Sequence, residues 1–371
     1  MRIVNTSLVN ARHASLRDAR DPVVFFYNGL GDHLLALPAI RALAALFPKR
    51  LRIICIPLAN ATFFSDVAVR SFLDVEIRII DGRRVFSADG LAKRIKACDL
   101  FISLAPWHSS SVEMLLQLTR PNYAIGFSQH FHEVLPNDSY RHSADVAFNA
   151  PRRIDCGLRI EDFSAPPRLS SENARRAIKL RRSLAGNRPL VIIHTDTIQE
   201  KMWPAEKWSA FLEIILNRYK TLVVFVVGSS HATADAICRK SRTFPLTGLP
   251  LSTSLALISI ADWFIGVDSC MLHAADLFRI PAVGLFGPTN AEKWGFRFTK
   301  GHHVQGDLTM DSIGVDRVVL AFERLLSCSS STLVCPQLDA GKPGRGLSTE
   351  ASRFWPPTGA DIMVDSSHFR T

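Results

Sequence analysis

Short apolar segments alternate with helix-length segments along almost the whole chain. Each apolar segment is strand-length, β-branched or otherwise apolar, and bounded by turn residues. Strands and helices that alternate in this way are typical of a parallel sheet with helices packed on both faces. The sequence therefore predicts an α/β fold built from doubly wound parallel sheets.

The alternation forms two runs with an irregular stretch between them. The first run predicts strands at residues 23–27, 52–56, 75–80, 100–104 and 123–126, and helices at residues 33–47, 88–97 and 109–119. The second run predicts strands at residues 190–194, 222–227, 244–246, 264–267 and 282–286, and helices at residues 171–184, 205–218, 232–240, 252–260, 271–278 and 315–326. Residues 127–167 show no sustained period, which favours an irregular crossover.

The chain has 371 residues, more than one hydrophobic core usually organises, so two domains are expected. The predicted organisation is a flexible extension at residues 1–21, a Rossmann-like domain at 22–150, a linker at 151–170, a second Rossmann-like domain at 171–327 and a disordered tail at 328–371. Two such domains create a cleft between the carboxyl ends of their sheets, where ligands of this fold class bind.

Composition argues against several classes of protein. No apolar segment approaches the length of a membrane-spanning helix, and no secretory pattern follows the arginine-rich N-terminus, so a cytoplasmic protein is predicted. The seven cysteines include no C-x-x-C pair, which argues against a disulfide framework and a zinc site. No zinc-finger or helix-turn-helix signature supports nucleic-acid binding. Neither a metal nor a cofactor is predicted.

The formal net charge of +10 favours acidic partners such as nucleotide diphosphates, phosphorylated glycolipids or an anionic membrane. The densest basic cluster lies on a predicted helix and its exit: Arg175, Arg176, Lys179, Arg181, Arg182 and Arg188. One interpretation of this cluster is an ordinary solvated face. The other is a surface that makes peripheral contact with the inner face of an anionic membrane.

A glycine-rich turn follows the first predicted strand and contains Gly29 and Gly31. Glycines at such a turn let the backbone approach a ligand, and the N-terminus of the following helix favours negative charge. The spacing resembles the start of a dinucleotide-binding turn. However, Leu34 stands at the third glycine position and residues 52–60 contain no acid to hold an adenine ribose. A dehydrogenase is therefore disfavoured.

Asp32 is a carboxylate in the first turn of the same predicted helix. It can simply stabilise the helix N-terminus, as acidic residues there often do. It can also act as a general base that takes the proton from an attacking hydroxyl. The local sequence leaves both roles open.

Hydroxyl residues and a lysine follow the first strand of the second run. Thr195, Thr197 and Lys201 together can neutralise a leaving diphosphate. A structural interpretation is a loop in which Pro204 starts the next helix and Trp203 packs beneath it. The two interpretations are compatible.

A third group of residues lies where a buried strand meets a helix. Asp268 follows the strand, and the backbone N–H groups of Ser269, Cys270 and Met271 can point at a phosphate. His273 lies about one helical turn after Ser269 and can aim at the same place. On its own, His273 is equally explained as a hydrogen-bonded core histidine.

These three groups, in this order, resemble the ADP-heptose:lipopolysaccharide heptosyltransferases, glycosyltransferase family 9. The family shows G-D followed by a proline-ended helix turn and IRAL, then K-x-W-P, then D-[ST]-G-x-x-H-x-A-A with P-x-x-x-x-[FY]-G-P-T. The matching residues here are Gly31-Asp32, Pro38, Ile40-Arg41-Ala42-Leu43, Lys201-Met202-Trp203-Pro204, Asp268-Ser269-Cys270-Met271-Leu272-His273-Ala274-Ala275, and Pro281 with Phe286-Gly287-Pro288-Thr289. The resemblance covers residues 22–327.

The resemblance implies a GT-B fold and an inverting, metal-independent transfer of a heptose or related sugar. The donor would be a nucleotide-diphosphate sugar, ADP-linked, held mostly by the C-terminal domain, and the acceptor would be a bacterial glycan or glycolipid on the N-terminal side. The implied roles are Asp32 as base, Thr197 and Lys201 on the donor phosphates, Asp268 on the sugar hydroxyls, and Ser269, Cys270 and Met271 as backbone donors to the diphosphate.

Two positions depart from the family pattern. Cys270 replaces the family's glycine, and no acidic residue that would hold the nucleotide ribose follows Gly228. The departures motivate one alternative, a catalytically inactive nucleotide-sugar-binding partner protein. A second alternative is a nucleotide-sugar epimerase, an enzyme with the same two-domain architecture. Binding without turnover would indicate the first, and product formed from the donor alone would indicate the second.

Overall fold

The buried apolar segments of the sequence pair as parallel strands in two separate sheets. This computed structural model describes residues 16–75, 78–80, 83–107, 109–229 and 231–329. The predicted tail beyond residue 329 and most of the predicted extension at 1–21 lie outside the described residues.

The first sheet is built from strands in the first half of the chain. Its strands are β1 Pro22–Phe25, β2 Arg52–Cys55, β3 Ser71–Asp74, β6 Leu100–Ser103, β7 Tyr123–Gly126 and β8 Glu133–Val134. They pair in parallel in the order β3-β2-β1-β6-β7-β8. β4 Arg78–Ile80 and β5 Arg83–Val85 form a separate antiparallel hairpin.

Helices connect these strands and cover the sheet. They are α1 Leu30–Leu46, α2 Pro57–Phe63, α3 Ala88–Ile95, α4 Ser110–Thr119 and α5 Ser143–Ile154, and a short 3-10 helix follows at Ile160–Phe163. Strands β1, β2 and β6 are buried along their whole length. Burial on both faces explains why these strands have continuous apolar sequences rather than alternating ones.

The second sheet repeats the topology of the first. Its strands are β9 Leu190–His194, β10 Val223–Gly228, β11 Thr243–Thr247, β12 Trp263–Val267, β13 Ala282–Phe286 and β14 Gly301–Gln305. Its helices are α6 Ser171–Leu184, α7 Ala205–Arg218, α8 His231–Ile237, α9 Leu251–Ile258, α10 Cys270–Leu277, α11 Ala291–Trp294 and α12 Val315–Ser329. The parallel order is β11-β10-β9-β12-β13-β14.

Both sheets therefore have the doubly wound order in which the first and fourth strands lie side by side at the centre. This confirms the predicted fold class of two Rossmann-like units. The described residues belong to one compact unit, Met1–Ser330. The predicted domain boundaries at 22–150, 151–170 and 171–327 remain predictions.

Helix α1 links the two halves of the core. Its residues from His33 to Ala44 are almost all buried, including Pro38 in mid-helix. The helix packs against α5 on one side and against α10 on another. Arg41, one of its less buried residues, donates hydrogen bonds to the carbonyl of Pro166 and to Asp66. The helix thereby also fixes the crossover between the two sheets.

Some predicted elements are wrong. The strand predicted at 75–80 is replaced by edge strand β3 and the β4–β5 hairpin. An edge strand pairs on one side only, and β3 is just half-buried, so its apolar pattern is weak. Residues 127–167, predicted to be irregular, contain β8, α5 and the 3-10 helix. Asn149 and Pro151 obscure the helical pattern of α5, whose buried face is nevertheless apolar.

Candidate active site

The candidate site lies where the central strands of the two sheets end. In doubly wound sheets, ligands bind outside the carboxyl ends of the strands, at the point where strand order reverses. That point lies between β1 and β6 in the first sheet and between β9 and β12 in the second. Asp32 follows β1, whereas Lys201 follows β9 and Asp268 follows β12.

The turn at residues 29–32 is held by the residue that follows it. His33 Nδ1 lies 2.9 Å from the Gly29 carbonyl oxygen, so this nitrogen carries the proton and donates. Burial lowers the pKa of His33 to about 4, and the ring is neutral near pH 7. Asp32 is half-buried in the first turn of α1. There the helix dipole favours its negative charge.

The same turn packs against the N-terminus of α10. A Cβ on Gly31 would lie 2.9 Å from His273 Cδ2 and 3.4 Å from the Cys270 backbone nitrogen. Glycine is therefore needed at position 31 for the two sheets to approach this closely. Asp32 is the next residue in the chain, so its backbone lies close to the N-terminus of the helix that the sequence predicts to bind phosphate.

Lys201 and Asp268 form an ion pair at the floor of this site. Lys201 Nζ lies 2.7 Å from Asp268 Oδ2, and the lysine side chain is 23% exposed against 5% for the aspartate. The Thr197 hydroxyl donates to the Asp268 backbone carbonyl at 3.0 Å. The loops after β9 and β12 are thereby joined. The lysine ammonium is fixed in position while part of it still faces solvent.

His273 lies between this ion pair and the turn at residues 29–32. Its Nε2 is 3.6 Å from Asp268 Oδ1, and the side chain is 4% exposed. Burial lowers its pKa to about 4, opposed by the nearby Asp268 charge, so the ring is neutral near pH 7. Its Nδ1 is buried without a hydrogen-bond partner among the described residues.

The N-terminus of α10 presents backbone and side-chain donors. The first N–H groups of any helix have no partner within the helix. The Ser269 hydroxyl is buried and, within the described part of the chain, has no hydrogen-bond partner either. Cys270 is partly exposed, yet local burial raises the pKa of its thiol to about 11. The protonated thiol adds no negative charge that would repel a phosphate.

Trp203 and Pro204 behave as the structural interpretation predicts. Trp203 is buried and donates its indole N–H to the Ile313 carbonyl at 3.1 Å. Pro204 directly precedes the first residue of α7. These residues hold the loop that carries Lys201.

Thr195 is buried, and its hydroxyl donates to Asp196 Oδ1 at 3.0 Å. The other carboxylate oxygen, Asp196 Oδ2, accepts the Ser229 backbone N–H at 2.5 Å and lies 3.3 Å from the Ser229 hydroxyl. Sequence reasoning assigned no role to Asp196. Its position one residue after a buried threonine at a strand end was the available signal.

A second set of unforeseen residues joins the two halves. Arg297 pairs with Asp145 of α5 at 2.8 Å and with Glu161 of the crossover at 3.1 Å. His142, just before α5, lies 3.0 Å from the Gly295 carbonyl oxygen through its Nε2. These contacts hold the second half of the chain against α5 and the crossover of the first half. No sequence motif marks these pairs, which are more than 130 positions apart.

Among the described residues, no group of three or more His, Cys, Asp or Glu side chains is arranged to hold a metal ion. In the same part of the chain, no helix is both long enough and apolar enough to cross a membrane.

Comparison with known sequences gives one family and one curated relative. The sequence profile of glycosyltransferase family 9 (heptosyltransferase) matches residues 90–306, more than half of the chain. Lipopolysaccharide heptosyltransferase 3 of Escherichia coli strain K12 is 35% identical over 100 residues, which cover 25% of this chain and 29% of that protein. The match thus spans less than a third of that relative.

Solved structures with the same fold cover nearly the whole described chain. A glycosyl transferase family 9 protein from Veillonella parvula has a TM-score of 0.69 at 18% identity, over 84% of this chain and 98% of that one. E. coli ADP-heptose lps heptosyltransferase II has a TM-score of 0.62 at 16% identity, over 84% of this chain and 99% of that one. E. coli heptosyltransferase WaaC with ADP has a TM-score of 0.61 at 13% identity, over 82% of this chain and 99% of that one. At these identities the similarity concerns the fold, which is GT-B.

Proposed function

Because the chain belongs to glycosyltransferase family 9, we propose that it transfers a heptose or related sugar from an ADP-linked donor to a hydroxyl of a bacterial glycan or glycolipid. The observation that carries the proposal is the packing of Gly31 against Cys270 and His273. Asp32 follows Gly31 directly in the chain, so this contact supports a position for its half-buried carboxylate near a helix N-terminus suited to a diphosphate. ADP itself is suggested by E. coli WaaC, which was solved with ADP and with ADP-2-deoxy-2-fluoro heptose.

The donor diphosphate would bind at the N-terminus of α10. The helix dipole contributes roughly half a positive charge there, and the free N–H groups of Cys270 and Met271 can point at phosphate oxygens. The Ser269 hydroxyl would provide another donor, since it is otherwise unused within the described residues. A lysine ammonium has three donors, so Lys201 can keep its bond to Asp268 and still reach a phosphate.

Asp32 would act as the base. The acceptor hydroxyl gives its proton to the carboxylate as its oxygen bonds to the anomeric carbon of the donor sugar. The bond from that carbon to the diphosphate oxygen breaks, and the electron pair leaves with the diphosphate. Attack opposite the leaving group inverts the anomeric carbon. Lys201 and the α10 N-terminus offset the leaving charge, so we propose that no metal takes part.

The acceptor's lipid would be reached from an anionic membrane surface on the cytoplasmic side. Arg181 and Arg188 have structural roles, since Arg181 pairs with Asp262 and Arg188 donates to the Leu184 carbonyl. The exposed stripe of α6 consists of residues one turn apart: Arg175, Ile178, Lys179 and Arg182. Basic side chains around an exposed apolar one are suited to anionic headgroups.

A transfer assay with a panel of nucleotide-sugar donors tests the proposal. Asp32→Asn should lower kcat by at least about 100-fold, the range for loss of a general base. The matched control is Asp89→Asn, because Asp89 also lies in the first turn of a helix, α3, but is exposed and paired with Lys93. Full turnover by folded Asp32→Asn would remove the base from the mechanism.

Lys201→Ala tests the donor site separately. It should raise the donor KM, whereas Lys240→Ala, at an exposed lysine paired with Glu213, should not. Unchanged donor affinity in Lys201→Ala would contradict the phosphate site. Donor-only reactions complete the design, because product formed without acceptor would indicate an epimerase.

A further inference from the structure

The carboxylate of Asp196 lies at the carboxyl end of β10, although the residue itself follows β9. Its Oδ2 accepts the backbone N–H of Ser229, the first residue after β10, at 2.5 Å. The segment directly after Gly228 contains no acidic residue that could occupy this position.

Gly228 makes the placement possible. A Cβ at position 228 would lie 2.3 Å from Asp196 Oδ2 and 2.8 Å from its Cγ. Any other residue at 228 would displace the carboxylate from the end of β10. Thr195 holds the opposite oxygen, so the carboxylate is anchored from both sides. A carboxylate held in this way at a strand end can position a ligand, whereas a flexible acidic side chain on the surface cannot.

The carboxylate lies on the side of the cleft toward which a nucleoside would extend. Strands β12, β9 and β10 are consecutive neighbours in the sheet. Adjacent strands lie about 4.8 Å apart, so the end of β10 is about 10 Å from the end of β12, where the diphosphate would bind. On the opposite side of β12, the position just after β13 is closely packed, because a Cβ on Gly287 would lie 2.6 Å from the Met310 backbone nitrogen.

We propose that Asp196 binds the ribose hydroxyls of the donor nucleotide, in place of an acidic residue on the loop after β10. The inference rests on the proposed function, because it needs a nucleoside diphosphate bound at α10. Doubly wound folds commonly hold a ribose with a carboxylate at the end of the second strand. Here the carboxylate reaches that position from the first strand of the sheet.

The contact from the Ser229 hydroxyl to Asp196 is one that a ribose hydroxyl can replace. The Ser229 hydroxyl lies 3.3 Å from Asp196 Oδ2, longer than a good O–H···O bond. A ribose hydroxyl at ordinary distance can replace it, and the serine side chain can rotate away. The short backbone bond from Ser229 stays in place and keeps the carboxylate oriented.

Titration calorimetry of the full-length protein with ADP and with 2′,3′-dideoxy-ADP tests the inference. The wild type should bind the dideoxy compound at least about tenfold more weakly, because it loses charge-assisted hydrogen bonds. Asp196→Asn should bind the two ligands within about twofold of each other. A purely structural role would weaken both ligands equally and keep their ratio, so the ratio distinguishes the two roles.

Asp262→Asn is the matched control. Like Asp196, Asp262 accepts a backbone N–H with its carboxylate, here from Leu190 at 2.7 Å, but at the amino end of β9 rather than at the carboxyl end of the sheet. This variant should keep the wild-type ratio. Gly228→Ala provides a second test, because it retains Asp196 and displaces its carboxylate, and it should also lose the discrimination.

Three results would overturn the inference. They are a wild type that binds both ligands equally, an Asp196→Asn variant that keeps the wild-type ratio, and a folded Gly228→Ala variant that keeps it. If the wild type bound no ADP at all, both the inference and the ADP-linked donor would fail. The first three results leave the proposed transfer untouched.

Discussion

Gly31→Ala should lower kcat strongly while changing the free energy of unfolding only a little. The added methyl would lie 2.9 Å from His273 Cδ2, whereas carbon atoms in good contact are about 3.5–4.0 Å apart. The turn or α10 must therefore move by roughly 0.6–1.1 Å. His273 cannot move aside easily, because it is 4% exposed and close to Asp268.

The expected cost in stability is small. Overpacking costs about 1–3 kcal/mol, and replacing glycine by alanine within a helix returns about 1 kcal/mol, so the net loss is about 0–2 kcal/mol. The expected cost in activity is large, since displacing a catalytic group by about 1 Å can lower the rate about 100-fold. The variant should therefore remain folded while kcat falls by about two orders of magnitude.

Steady-state kinetics and urea unfolding, measured on the same preparation, check both numbers. Gly157→Ala is the control, since Gly157 lies beyond α5 and its added Cβ would meet only the Asp155 side chain, at 3.3 Å. It should change neither kcat nor stability appreciably. A Gly31→Ala protein with wild-type kcat would refute the argument that this contact aligns the base.

Three other predictions concern the ion pair, the buried histidines and the basic stripe. Lys201→Met should lower the free energy of unfolding by about 2–4 kcal/mol, because it leaves the Asp268 carboxylate buried and uncompensated. In urea unfolding, the double variant Lys201→Met/Asp268→Asn should regain most of that loss. A double variant that regains none of it would refute the ion pair. Stability should fall as the pH decreases from about 6.5 to about 4, because burial lowers the pKa values of His33 and His273 to about 4 and the unfolded state binds more protons in that window. Unfolding at a series of pH values should show His33→Gln reducing the slope by about 1.4 kcal/mol per pH unit, and an unchanged slope would exclude His33 as a contributor. Vesicles containing phosphatidylglycerol should bind the wild type at least about 100-fold better than a variant with three charges reversed, at about 1 kcal/mol per basic residue. The reversed residues are Arg175, Lys179 and Arg182. The control reverses three exposed lysines elsewhere: Lys49, Lys93 and Lys300. Equal sedimentation of stripe variant and control would contradict a membrane role for α6.

The buried elements are the ones that the sequence predicts well. The predicted bounds of β9, α7 and β13 coincide with the observed ones. These elements have a continuous apolar run or a clear apolar face, because they pack in the two buried clusters on the opposite faces of the second sheet. β14 is missed because it is an edge strand whose sequence, with His302 and His303, carries no such run.

The candidate site also has residues that the sequence can place and one that it cannot. Asp32, Lys201 and Asp268 can be placed near one another from sequence, since each follows a central strand and such strand ends converge. The position of Asp196 depends instead on a missing Cβ at Gly228 and on a side chain that crosses to the next strand. Contacts of this kind depend on side-chain direction in three dimensions, which residue spacing does not encode.

The near-complete enclosure of α1 limits how this protein can be redesigned. Because the helix is packed against α5, α10 and the 3-10 helix at Ile160–Phe163, almost any substitution along it disturbs several neighbours at once. New acceptor preferences are therefore best sought in the segments at the rim of the first sheet, such as α2, which has only Ala59 and Phe63 buried. Variation there would reshape the proposed acceptor side while Asp32, the proposed base, stays on a helix that the core holds in place.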